Sequence, residues 1–222
     1  MGSTPTRIDR APWYAKKAYS SRTIQVGGTA VTLMQPTFTT DRGLIDADTK
    51  IRYMVEDARS VLSRAVLIPD ANRISPLLGE LFNPENKMDF SPSMAWGTIK
   101  PKLIKIQKNL AAPHSIKVVG TLDTGGMGSV KFYNDGTGDI HLAKRLFEAG
   151  LRGNATLTYL HEASHKYAGT VDHAYWKKLT GVWRDNRIHW CYDPKITNDQ
   201  ALNNADSFAF LLYHLPGPNW RY

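Results

Sequence analysis

Residues 156–169 read TLTYLHEASHKYAG, and the fold turns on how this stretch is read. Leu157 and Leu160 fall at helical spacing and lead into His161-Glu162-Ala163-Ser164-His165. On an α-helix, side chains four residues apart stand one turn above each other on the same face. His161 and His165 can therefore aim two imidazoles at one cation, at the roughly 2.0–2.1 Å typical of zinc–nitrogen bonds. Glu162 projects beside that face. Zinc lowers the pKa of its water towards about 7, and a neighbouring carboxylate can take the proton and hand it to a leaving amine. A helix running from about residue 154 through His165 is the expected carrier of this chemistry.

Two histidines leave zinc short of protein ligands. One arrangement adds glycine and histidine three and six residues after the second histidine, but those positions hold Ala168 and Val171. Another adds a glutamate from a later helix, and no glutamate follows Glu162. Asp172 remains, seven residues after His165 and behind Gly169-Thr170. Glycine there can end the helix and reverse the chain, bringing the aspartate back beneath the metal. His173, its neighbour, is the competing donor.

HExxH followed by GTVDHAY (residues 169–175) resembles the aspzincin signature HExxH…GTxDxxY, shared by deuterolysins and peptidyl-lysine metalloendopeptidases. The run NNADSF (residues 203–208) is similar to the NAD-containing segment that completes their site. The resemblance covers about residues 115–213. It implies an α+β, zincin-like metallopeptidase with N-terminal helices, a small mixed sheet, an HExxH helix and C-terminal helices. It implies one catalytic Zn2+ held by His161, His165 and Asp172, with Glu162 as general base and later acid. Tyr175 would then stabilise the developing oxyanion, and Asp206 would line the pocket for the residue after the scissile bond. A carboxylate there would favour lysine or arginine by charge pairing. Two departures stand out. The loop between His165 and Asp172 is shorter than in the fungal lysine-specific enzymes, and Ala209 stands where those enzymes carry a second acidic residue. A strict lysine preference is therefore not implied. The strand at residues 139–142 would be the sheet edge that pairs with an extended substrate, with His141 as a surface residue upon it.

The rest of the chain is read from periodicity. Ile51, Met54, Val55, Ala58, Val61, Leu62 and Ala65 make a continuous apolar stripe and predict a helix over residues 46–68. A second helix is expected at 76–82 and a third at 93–110, interrupted near Pro101. In the third, Leu103, Ile106 and Leu110 face inward, and Lys100, Lys102, Lys105 and Lys108 form the wet face. Short β-prone runs at 116–119, 130–133 and 139–142 are separated by glycine-rich turns. The segment TGGMGS (residues 124–129) lacks the Lys-Ser/Thr ending of a phosphate loop and reads as a hairpin turn. A short helix near 173–179 and a final helix at 199–214 complete an α+β domain over residues 46–222. Residues 1–45, rich in Thr, Gly and Pro with one strand-like run at 29–34, read as an arm or irregular subdomain.

Composition narrows the function classes. A single cysteine, Cys191, excludes intramolecular disulfides and cysteine-rich zinc sites, and its neighbours Trp190 and Tyr192 suggest a small buried hydrophobe. No apolar run is long enough for a membrane span. The net charge of +8 reads as a lysine-rich surface rather than a specific nucleic-acid site. The opening MGSTPTRIDRAPWYAKK lacks an apolar leader core. The expectation is a monomer that is cytoplasmic in the producing cell and then secreted or delivered without a Sec-type signal. It could serve as an effector or toxin with a secretion-apparatus or immunity partner. Its substrate would be a protein or peptide. A zinc peptidoglycan hydrolase and a non-catalytic, zinc-stabilised binding module are the competing readings.

Overall fold

The computed structural model describes residues 19–36, 47–85, 88–119, 128–130, 138–147, 152–178 and 190–215. Strands β1 (Tyr19–Val26) and β2 (Thr29–Pro36) form an antiparallel hairpin. Gly27 and Gly28 turn it with φ of 52° and 80°, values that side chains with a Cβ rarely adopt. Helix α1 (Ala47–Val66) follows, then a short 3-10 turn, α2 (Ser75–Phe82) and α3 (Pro92–Ala111). Strands β3 (His114–Val119), β4 (Gly128–Val130) and β5 (Ile140–Ala143) precede α4 (Arg152–Ala168). A two-stranded ribbon, β6 (Tyr175–Lys178) with β7 (Trp190–Asp193), then α5 (Asn198–Ala201) and α6 (Ala205–His214) end the described chain.

The main sheet has the order β1-β2-β3-β5-β4. Strands β2, β3 and β5 run parallel, with β1 and β4 antiparallel at the two edges. Helices α1, α3 and α4 pack on one another, and α6 lies against α4. The stripe on α1 is buried as its periodicity demands, with Val61 only partly so. Among the described residues, no helix is long and apolar enough to cross a membrane.

Several expectations are corrected. The region read as an arm supplies, at residues 19–36, a hairpin whose second strand pairs with β3. Helix α3 runs unbroken through Pro101, because Ala95, Trp96, Ile99, Leu103, Ile106 and Leu110 are buried along its length. That burial offsets the roughly 3 kcal/mol an interior proline costs. On the same helix, Lys100 and Lys102 are not simply wet: their ammonium groups donate to the carbonyls of Ile68 and Leu202. The segment 173–179 contains strand β6, not a helix, since its backbone pairs with β7. The last helix is two, broken after Ala201.

Strand β5 is interior, lying between β3 and β4, so β4 is the edge on that side, and His141 is buried rather than at the surface. Strands β3 and β4 are accordingly not hairpin partners. Residues 124–127 of the glycine-rich segment, 131–133 of the strand expected at 130–133, and the side chain of Cys191 lie outside the described residues.

One buried pair fastens the sheet to helix α4. The Nδ1–H of His114 donates to the Ala112 carbonyl at 3.0 Å, so Nε2 accepts the Tyr159 hydroxyl at 2.6 Å. Burial pushes the His114 pKa down, and the hydrogen bond to Ala112 only partly opposes it. The folded protein thus refuses a proton that the unfolded chain accepts near pH 6.5. This stability is present above that value and lost as the pH falls below it. His114→Phe is expected to cost about 1–3 kcal/mol at pH 8, by leaving the buried Tyr159 hydroxyl without its acceptor. It should cost less at pH 5. Urea melts at both pH values check this.

Candidate metal centre

Helix α4 ends in a way that fixes its second histidine. Gly169, at φ 69°, takes the left-handed conformation after the last turn, and its N–H donates to the His165 carbonyl at 3.2 Å. The chain then doubles back, and the Thr170 carbonyl accepts the Nδ1–H of His165 at 2.7 Å. Inside the turn, the fully buried Ser164 hydroxyl donates to the His161 carbonyl and meets the Thr170 hydroxyl at 2.8 Å. The first histidine is fixed from another element. The Nδ1–H of His161 donates to Asp206 Oδ1, on α6, at 2.7 Å.

With both Nδ1 atoms acting as donors, each Nε2 is left to face the centre. These two nitrogens lie 3.1 Å apart, and Asp172 Oδ1 lies 3.1 Å from one and 3.2 Å from the other. Donors arranged tetrahedrally at 2.0–2.1 Å from a zinc ion would be about 3.3 Å apart, so the cluster matches in size and in chemistry. Three electron-rich atoms at this spacing require positive charge among them. The same demand shows in the protonation of the imidazole. Burial would lower the His161 pKa, yet hydrogen bonds to Asp172 and Asp206 hold it up at about 10. Burial would likewise raise Asp172, but its bonds to both imidazoles keep it well below the usual carboxylate range. A proton can bridge only part of this triangle; a divalent cation satisfies all three atoms. Among the described residues, His161, His165 and Asp172 form the one cluster suited to holding a metal. His173 is outside it.

Glu162 is 5% exposed, and burial raises its carboxyl to about 7 against the opposing pull of the two imidazoles. Its position is set by edge strand β4. A Cβ on Gly128 would fall 2.5 Å from Glu162 Oε1 and 2.8 Å from Thr158 Cγ2, so any larger residue there would push the Glu162 side chain aside. Tyr175, at the start of β6, is half exposed and stacks on His161, with ring centroids 6.5 Å apart and planes at 14°. Burial raises its pKa, and so does the negative charge of Asp172, Asp206 and Glu162 around it. The Asp172 side chain is 41% exposed, so the cluster faces solvent on one side.

The structure thus brings together His161, Glu162, His165, Asp172 and Tyr175. Asp206, expected to line the pocket for the residue after the scissile bond, is close as well. It is 9% exposed and bonded to His161 and to the Trp176 N–H, the latter at 2.8 Å. Three contributors were missed in the sequence. The Thr170 carbonyl and the backbone of Gly128 have no side-chain signal. Asn204, which accepts the N–H groups of His173 and Ala174 at 2.9 and 3.1 Å, lay within the NNADSF run already quoted.

No protein-family model matches the chain, and no curated protein matches it in sequence. In three dimensions it is similar to a zinc peptidase from Grifola frondosa, with a TM-score of 0.50 and 15% sequence identity. The likeness covers 76% of this chain and 94% of that one. It shows an α+β, zincin-like fold.

Proposed function

We propose that this chain is a zinc-dependent endopeptidase of the aspzincin type, hydrolysing peptide bonds in proteins or peptides. The observation that carries the reading is the convergence of His161 Nε2, His165 Nε2 and Asp172 Oδ1 while both outer imidazole nitrogens donate elsewhere. The structural neighbour's being a zinc peptidase supports it. A bound zinc ion would supply Lewis-acid chemistry, acidifying water and stabilising negative charge at the scissile carbonyl.

The remaining work falls to the protein. Glu162, raised to about 7 by burial, has the affinity to take a proton from the attacking water at neutral pH and release it to the departing amine. The Tyr175 phenol, with its pKa raised, keeps its proton and can donate it as a hydrogen bond to the oxyanion. An extended peptide added along edge strand β4 would run past Gly128 and so beside Glu162, with backbone hydrogen bonds holding its register.

The purified protein should hold about one zinc per chain and cleave an unstructured protein such as casein. Treatment with 1,10-phenanthroline should abolish cleavage, and added zinc should restore it. Absence of bound zinc, or cleavage indifferent to the chelator, would overturn the reading.

A further inference from the structure

We infer that Asp206 is a positioning residue of the metal centre, tying the orientation of His161 to the strand that carries Tyr175, and not a substrate-pocket residue. This rests on the zinc-peptidase reading above. The carboxylate has two oxygens, and both are committed. Oδ1 accepts the His161 Nδ1–H at 2.7 Å, and Oδ2 accepts the Trp176 N–H at 2.8 Å. At 9% exposure, little of the residue is left for a substrate ammonium group. A carboxylate behind a ligating imidazole fixes its tautomer, keeps the lone pair on the metal side and raises its basicity.

Asp206 does not act from an isolated position. The four residues 203–206 all bond to the segment that carries Asp172 and Tyr175. The Asn203 carbonyl accepts the Val171 N–H at 2.9 Å, and the Ala205 N–H donates to the Val171 carbonyl at 3.0 Å. The Asn204 Oδ1 accepts the N–H groups of His173 and Ala174, between the two functional residues. Asp206 adds the last bond, to the residue after Tyr175. The clamp is anchored in turn, because Lys102 on α3 donates to Asn203 Oδ1 at 3.0 Å and to the Leu202 carbonyl at 2.9 Å. Its interior is dry: Asn204, Ala205 and Ser207 are fully buried. A side chain at the hub of such a clamp sets angles at the metal.

Asp206→Asn tests the assignment with almost no change of volume. The amide can accept from only one of the two N–H groups, so its NH2 must confront the other donor. Zinc affinity, read by competition with a chromophoric chelator, should fall about 10- to 100-fold. The visible spectrum of the Co2+-substituted protein should change in intensity and position. At saturating zinc, kcat should fall to the same degree for peptides with lysine and with alanine after the scissile bond, with KM unchanged. Unaltered zinc affinity and Co2+ spectrum, with KM raised for the lysine peptide alone, would overturn the inference in favour of a pocket role.

Should the variant fail to fold, the wild-type zinc protein still decides the matter. Long-range 15N–1H correlation must place the His161 proton on Nδ1, in a strong hydrogen bond; a proton freely exchanging with water would overturn it. If wild-type protein neither binds zinc nor cleaves peptide, the underlying reading fails and this one with it. If it does both and Asp206→Asn keeps both, only this inference fails.

Discussion

Glu162→Gln should leave zinc bound and remove peptide cleavage. The substitution keeps the shape of the side chain beside Gly128, where a Cβ on that glycine would fall 2.5 Å from Oε1. It removes the lone function of a carboxylate that an amide cannot copy, namely taking a proton and returning it. General acid–base groups contribute typically 10²- to 10⁴-fold, so kcat should drop by about 10³-fold or more, since one residue serves both transfers. Glu162 is not among the three converging donors, so metal content should be unchanged. The apo protein should not be destabilised either. Burial raises this carboxyl to about 7, so ionising it at higher pH works against the folded state, and a neutral amide relieves that penalty. Metal analysis, peptide kinetics and a thermal melt on one preparation give all three readouts. Retained cleavage would remove Glu162 from the mechanism. Unchanged biological activity despite lost cleavage would point to a zinc-stabilised binding module.

The contrast between what was legible in the sequence and what was not follows from the range of the interactions. The pair His161 and His165, the base Glu162 and the break at Gly169 are local consequences of helical geometry, so spacing alone discloses them. Asp172 could be singled out because no glutamate follows Glu162 and the positions three and six after His165 hold Ala168 and Val171. The sheet was harder to read. Edge and interior strands differ in their partners, not in their residues, and β5 became interior only through pairing with β3 and β4. The same pairing buries His141, which alternation along an isolated strand would leave wet.

Segment 173–179 carries four residues, Tyr175–Lys178, whose ladder forms with a strand that begins at Trp190. No local pattern announces a partner that distant. Asp206 was found by resemblance and given a role facing the substrate. Its real surroundings depend on a turn of α6 against α4, which brings its carboxylate to the rear of His161. The residues of the site were readable from one helix and the motifs after it; the backbone bonds that the clamp at 203–206 makes to them were not.

Asp172→Ala is the second large effect to expect, and it falls on metal binding first. In the proposed centre, the carboxylate is both the third donor and the one anionic donor of the three. Without it, two neutral imidazoles 3.1 Å apart must hold a divalent cation alone. Losing a partner behind a ligand typically costs 10- to 100-fold in metal affinity, and losing the ligand itself should cost about 10³-fold or more. Activity at trace zinc should disappear, and excess zinc should restore little of it. His173→Ala is the matched control. Its backbone N–H is held by Asn204, a bond the substitution keeps, and its ring is not part of the cluster. That variant should bind zinc and turn over peptide within about twofold of wild type, because it removes no donor of the cluster and no bond of the clamp. Chelator competition on the two proteins side by side measures the difference. If His173→Ala lost the metal while Asp172→Ala kept it, the third ligand would be the histidine, and the geometry of the loop after Gly169 would have to be redrawn around it.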